Sequence, residues 1–417
     1  MLFMENQVDI LRKERRVINL ISAAHFFSHF YILALPPLFL TIKQDLNITF
    51  TQLGMMVSFY AIGSFVGQYP MGVLADKHGP RWILISGIFA VSTAFILMGL
   101  IPIFWVMVSL ALLAGLGDSV FHPANFVVLT ASVAKERSGR AYAFHAFAGF
   151  AGFAAAPIVV DFFRVFWNWH FALISIGCLG VIMTLVLISN KELLIGEKHR
   201  SQIEQDQPVS VGSLQTMGVL EFIKFPPILI LFFFYVAVAL AGSGIQQFSP
   251  SALPVMYEAN ISAANQVLFI YMVTISIGIL AGGYIADKVT RLDMVATIGY
   301  LIGIFMICAV ALQFLSFIFA AVALAIAGFM MGIVMPSRDV LVRAVTPKGN
   351  AGKAFGFVNS GFGFAGIIGP LIFGRIMDSG AVTWIYYGAA IFMGLTIVAA
   401  LAAGRFARSK TIYQSAE

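Results

Sequence analysis

Four ionisable side chains sit where an apolar chain has little reason to hold them. His25 and His29 stand four residues apart in one hydrophobic run, and Asp118 and His122 repeat that spacing in another. Residues at i and i+4 share a helix face, so each pair reads as one polar patch. Imidazole titrates near neutrality, and a neighbouring carboxylate can share its proton, which makes the four a proton or substrate site. The same donors suit a divalent metal, because neutral imidazole and carboxylate ligate iron, zinc and manganese. They are also compatible with packing alone, each ring bonded to a nearby backbone or hydroxyl group. His145, close to the end of its own apolar run, reads as structural or interfacial as readily as functional.

A second kind of chemistry is suggested by Arg338, inside an apolar run and followed by Asp339. A guanidinium can hold a carboxylate or phosphonate through two parallel hydrogen bonds, which lysine does less well. Arg338 therefore reads equally as an anion-recognising group and as one pole of a structural ion pair. Gln246, Gln247, Tyr271, Asn359 and Ser360 are uncharged candidates for the same substrate site. No nucleophile stands beside a base at recognisable spacing, and no G-x-x-x-x-G-K loop occurs, so neither an enzyme nor ATP use is expected. Cys178 and Cys308 lack metal-ligand spacing. No cofactor is expected.

The elements that must carry these residues are membrane spans. With 60% hydrophobic and 11% charged residues and a mean hydropathy of +0.93, the chain is far too apolar for a water-soluble fold. The apolar residues fall in runs of about twenty, enough to cross roughly 30 Å of hydrocarbon as helix. Short alternating segments of the kind that build membrane barrels do not appear. Twelve spans are expected, at 17–40, 52–74, 82–101, 104–133, 141–163 and 168–189, then 228–256, 264–286, 294–313, 316–343, 354–377 and 383–404. The first is too long for a signal-peptide core and lacks a cleavage site, so it reads as a retained helix. The polar stretch 190–225 reads as a linker between residues 1–189 and 226–417. All Lys and Arg except Lys43, Arg164, Arg338 and Arg375 fall on one side if both termini are cytoplasmic, the side that retains positive charge. The basic excess thus reports orientation in an inner membrane, and no nucleic-acid partner is expected.

An internal repeat orders the spans. Gly72-Val-Leu-Ala-Asp76-Lys77 recurs as Gly283-Tyr-Ile-Ala-Asp287-Lys288. Ser138-Gly-Arg-Ala-Tyr-Ala-Phe144 through Pro157 likewise matches Ala351-Gly-Lys-Ala-Phe-Gly-Phe357 through Pro370, and His122-Pro123 falls on Met335-Pro336. Two parallel repeats of six spans each are the arrangement of transporters that rock about a midplane site. Pro36-Pro37 and Pro250 with Pro254 fall late in equivalent spans and read as hinges or helix ends.

With Gly72, Leu74, Ala75, Asp76, Lys77, Gly79 and Arg81 between spans 2 and 3, the chain resembles the major facilitator superfamily. That resemblance implies an all-α membrane protein of twelve transmembrane helices in two pseudo-symmetric six-helix bundles. It also implies that spans 1 and 4 line a central cavity, so that the two His and Asp pairs could face one another. It gives Gly72, Asp76, Lys77, Gly79 and Arg81, with the degenerate copy Asp287 and Lys288, a gating role. The run Gly117 to Pro123 looks like the corresponding segment of fosmidomycin-resistance exporters. No arginine lies in span 4 where many proton-driven members carry one, and the G-x-x-x-G-P of drug antiporters survives only as Gly152 with Ala156-Pro157. The expected function is secondary transport by a monomer in the lipid bilayer, carrying a small organic and anionic solute with proton coupling, with divalent-metal transport as the alternative.

Overall fold

Hydrophobic length without strand-like alternation leaves the helix as the one way to satisfy every backbone group in lipid. The computed structural model describes residues 2–194, 224–346 and 351–414, so most of the expected linker at 190–225 lies outside the described residues. Its helices are α1 (Leu2–Ile32), α2 (Phe39–Leu46), α3 (Phe50–His78), α4 (Pro80–Leu100), α5 (Phe104–Asp118), α6 (Phe121–Ser132), α7 (Lys135–Phe166) and α8 (Trp169–Ser189). After the linker come α9 (Pro226–Tyr257), α10 (Ile261–Lys288), α11 (Leu292–Ala311), α12 (Phe317–Val345), α13 (Ala351–Asp378) and α14 (Trp384–Gln414). Among the described residues twelve segments are long and apolar enough to cross a bilayer, α1 with α2 and α5 with α6 each forming one. Large apolar side chains such as Phe89, Trp105, Phe162, Phe305 and Phe319 face outward, as lipid contact requires and water would penalise.

Two expected spans are broken. Pro36 and Pro37 open a 3₁₀ turn, Pro36–Leu38, that separates α1 from α2, because neither proline can donate to the ladder. The expected helix 104–133 is interrupted at Ser119 and Val120. Pro123 has no N–H for the Ser119 carbonyl, so the hydrogen-bond ladder stops one turn ahead of it. Pro336, its repeat partner, lies inside the unbroken α12, as Pro250 and Pro254 lie inside α9.

The chain forms two compact units. Unit 1 comprises the chain up to Asn47 and from Phe59 to the linker; unit 2 comprises Ile48–Ser58 and the chain beyond the linker. In unit 1, α1 packs on α7 and α4 on α8 and α5 around a core that includes Ile21, Ile88, Phe121 and Leu187. Glu14 on α1 accepts from Arg137 Nε at 2.8 Å and Nη2 at 2.7 Å, and from the backbone N–H of Ala134 at 3.2 Å. This carboxylate stands at the start of α7, where the helix dipole is positive. In unit 2, α10 packs on α12, and α9 on α13 and α14. The start of α3, as far as Ser58, belongs to unit 2: Asp378, ending α13, accepts from the N–H groups of Phe50 at 2.7 Å and Thr51 at 2.8 Å.

Small residues let these helices touch, since lipid offers no hydrophobic drive for association. A Cβ on Gly115 of α5 would stand 2.0 Å from the carbonyl oxygen of Tyr60 on α3. A Cβ on Gly328 of α12 would stand 2.7 Å from that of Tyr271 on α10. Tyr60 with Gly115 and Tyr271 with Gly328 are partners under the sequence repeat, so both units use the same joint. Gly79, between α3 and α4, has φ of +82°, a conformation that suits a residue without Cβ, and Pro80 then starts α4.

Candidate functional site

Unit 1 gathers four imidazoles from three helices. His25 and His29 come from α1, His122 from the first turn of α6 and His145 from α7. The His25 ring stacks on His145 with centroids 3.9 Å apart and planes 10° apart. His29 lies 4.3 Å from His25, and His122 lies 5.3 Å from His25 and 5.9 Å from His29, between centroids. Nδ1 of His25 meets the backbone carbonyl of His145 at 2.9 Å. A carbonyl can only accept, so this bond puts the proton on Nδ1 and leaves the Nε2 lone pair unused. Nε2 of His25 and Nδ1 of His29 are buried without hydrogen-bond partners, as are both ring nitrogens of His145. One nitrogen from each of His25, His29 and His122 lies within 4.8 Å of the other two, and these three could hold a metal ion. His25 is buried, His29 half-buried and His122 exposed, so the group opens on the His122 side. Space for the rings comes from Gly149 of α7, whose Cβ would stand 2.7 Å from Cε1 of His25 and 2.9 Å from Nδ1 of His29.

Asp118 has other partners. It closes α5, is buried, and accepts from Ser28 Oγ of α1 at 2.5 Å and Ser64 Oγ of α3 at 3.2 Å. Ser119 and Val120, between α5 and α6, keep right-handed helical backbone angles, yet Asp118 and His122 meet different partners. His122 joins the α1 histidines, whereas Asp118 is held by two hydroxyls and is not among the three possible metal ligands.

Unit 2 carries the buried cation. Arg338 on α12 is 8% exposed, and its Nε donates to Asp339 Oδ1 at 2.8 Å. Tyr235 on α9 donates its hydroxyl to the same oxygen at 2.7 Å. The guanidinium carbon lies 4.3 Å from the Tyr235 ring centre and 5.2 Å from that of Phe362 on α13, within cation–π range. Nη1 of Arg338 is buried with no hydrogen-bond partner. Of the uncharged candidates, Gln246 and Gln247 are half-buried on α9, Gln247 accepting from Ser243 at 3.1 Å, and Asn359 is exposed on α13. Tyr271 is fully buried and donates to Met331 Sδ at 2.8 Å, so it helps join α10 to α12.

The expected gating residues close their helices. Gly72 lies in the last turns of α3, with exposed Asp76 and Lys77 beyond it. Arg81 of α4 meets Glu192 at 3.2 Å. In the second copy Asp287 is exposed, and Lys288 donates to the Tyr284 hydroxyl, with its ammonium 4.0 Å from that ring's centre.

His145, open in the sequence between a structural or interfacial role and a functional one, joins the imidazole cluster by stacking on His25. Two further groups escaped the sequence reading. Glu14 stands among the basic residues of the N-terminus, and its bond to Arg137 is not visible from spacing. Asn125 on α6 is fully buried with neither amide atom partnered. The repeat carries its own signal here, because Asn125 falls on Arg338 under the register that aligns His122-Pro123 with Met335-Pro336.

Comparison with known proteins supplies the context. A family model described as Major Facilitator Superfamily matches residues 21–257 and 231–414. The fosmidomycin resistance protein of Escherichia coli (strain K12) is 23% identical over 384 residues, covering 89% of this chain and 88% of that protein. The hexuronate transporter of Bacillus subtilis (strain 168) is 23% identical over 391 residues, 88% of each chain. Among solved structures, a bacterial homologue of the human lysosomal transporter Spinster, in an inward-facing and unoccupied conformation, superposes with a TM-score of 0.74. It is 16% identical and covers 95% of this chain and 96% of its own, which shows a shared fold.

Proposed function

The chain belongs to the major facilitator superfamily and is a multi-pass transporter of a small solute, and we propose that this solute is an organic anion moved by alternating access with proton coupling. The observation that carries the reading is Arg338. Its Nε is held by Asp339 and its plane lies over Tyr235, while Nη1 is buried and unpartnered. A buried donor without an acceptor costs about 1–3 kcal/mol, a cost that a bound carboxylate removes. The name of the hexuronate transporter, aligned over 88% of each chain, agrees with a carboxylate-bearing solute.

For the proton we propose Asp118. Its two serine partners donate to an ionised carboxylate, and on protonation one of the pair can turn to accept instead. Unit 1 then handles the proton, with the imidazoles of His25, His29 and His122 in the same bundle, and unit 2 recognises the anion through Arg338, aided by Gln246, Gln247 and Asn359. Asp76, Lys77, Arg81, Asp287 and Lys288 act as gating groups, with the Arg81–Glu192 ion pair as one of their contacts. The protein works as a monomer without a cofactor, is not an enzyme, and lies in the inner membrane with both termini cytoplasmic.

Transport by purified protein in liposomes tests this. Labelled hexuronate should accumulate against its gradient when a pH difference is imposed, and collapse of that difference with a protonophore should abolish accumulation. Flux of neutral solutes alone, or anion flux indifferent to the pH difference, refutes the corresponding half of the proposal.

A further inference from the structure

We propose that His25, His29 and His122 form a binding site for a first-row divalent transition metal such as Zn²⁺, with one coordination position left open on the side of His122. The proposal goes beyond organic-anion transport and rests on geometry that transport does not require.

The donor set is entirely imidazole. Such nitrogens favour zinc, copper, nickel and iron over magnesium and calcium, which take oxygen ligands. One nitrogen from each ring already lies within 4.8 Å of the others. Three nitrogens at about 2.0–2.1 Å from a tetrahedral ion stand roughly 3.4 Å apart, so closure asks each ring to move by about 1 Å. His25 is prepared for this role. Its Nδ1–H donates to the His145 carbonyl, the outer-shell hydrogen bond that commonly orients a ligating histidine, and this aims the free Nε2 lone pair away from that carbonyl. Nε2 of His25 and Nδ1 of His29 are buried with nothing to bond, a cost that a metal would relieve. Gly149 leaves the room that any side chain would fill. Hydrogen bonding to protein satisfies Asp118 and leaves these nitrogens unsatisfied, so a ligand from outside the protein is the missing partner. The three ligands bring no negative charge, and exposed His122 leaves the ion reachable by water or by an anion that supplies it.

The experiment uses the full chain in detergent, carrying no polyhistidine tag and stripped with chelator. Zn²⁺ is titrated in competition with a chromophoric chelator. One Zn²⁺ should bind per chain, His29→Gln and His122→Gln should each weaken binding at least tenfold, and His78→Gln, altering an exposed histidine at the end of α3, should not. Absence of binding, or binding unchanged in the His29→Gln/His122→Gln double variant, overturns the proposal. Because a variant may unfold for unrelated reasons, Cu²⁺ is bound to the unaltered chain in parallel and its resonance spectrum examined for nitrogen splitting. Three equatorial nitrogens support the site, and an all-oxygen spectrum overturns it. Metal-free liposomes separate the two readings: proton-driven hexuronate flux that persists beside a failed Zn²⁺ titration removes the metal site and leaves anion transport standing.

Discussion

Replacing Arg338 with lysine keeps the charge and removes the shape. The guanidinium makes three contacts that lysine cannot reproduce together: Nε to Asp339 at 2.8 Å, the plane over Tyr235 at 4.3 Å, and a spare Nη1 for an incoming carboxylate. The aromatic contact is worth about 0.5–2 kcal/mol and a charge-assisted hydrogen bond about 1.5–3 kcal/mol. Lysine recovers part of each, so a net loss of about 1.5–3 kcal/mol in anion binding is expected, with KM rising roughly 10- to 100-fold. Structural damage should be small. The Asp339 side chain is 49% exposed and still accepts from Tyr235, so water can replace the lost partner. The assay is initial-rate uptake of labelled hexuronate by proteoliposomes across a range of concentrations, with thermal unfolding of the same preparations. A KM within twofold of the unaltered chain at equal stability would refute the anion role. So would an equal loss of flux for a neutral solute, because that would mark Arg338 as scaffold.

Four further outcomes follow, three of them from contacts described above. Asp118→Asn should abolish uphill accumulation driven by a pH difference yet leave anion exchange without a gradient, measured as counterflow; loss of both would assign Asp118 to structure. Gly115→Ala, which drives a Cβ into the Tyr60 carbonyl, should cost about 1–3 kcal/mol in unfolding free energy. Gly394→Ala, where nothing stands within 4 Å, should be neutral or slightly stabilising in the same denaturation series. Glu14→Gln should lower stability by about 1 kcal/mol, modest because Arg137 is partly exposed and can hydrate. It should also raise amide exchange at the start of α7, and unaltered exchange there would show that the Glu14 contacts hold little.

Much of the frame was legible in the residues. Run length fixed the twelve spans, because hydrocarbon thickness sets how many apolar residues a crossing helix needs, and the offset copies of Gly72–Lys77 marked the two repeats. The breaks were harder. Pro36-Pro37 was read as a hinge or helix end, and the turn it starts fits that. Pro123 carries the same information for the second interruption, across which Ser119 and Val120 keep helical backbone angles. The candidate residues divide by the same logic. His25 and His29 lie together because one helix sets their spacing, which sequence reports directly. That His122 and His145 join them depends on how α1, α6 and α7 pack, and no local pattern encodes it. The hydroxyl of Tyr271, a polar candidate by sequence, donates to Met331, a contact between helices that spacing does not report.

The Tyr60–Gly115 and Tyr271–Gly328 contacts consist of a carbonyl oxygen meeting a bare α-carbon, so they are written in main-chain atoms. A fastening of that kind does not depend on which side chains surround it, provided the glycine stays. It leaves positions within about three turns of the fastening free to differ between the two repeats. Asp118 beside Gly115 in one copy, and Arg338 three turns beyond Gly328 in the other, are opposite charges grafted onto the same rivet.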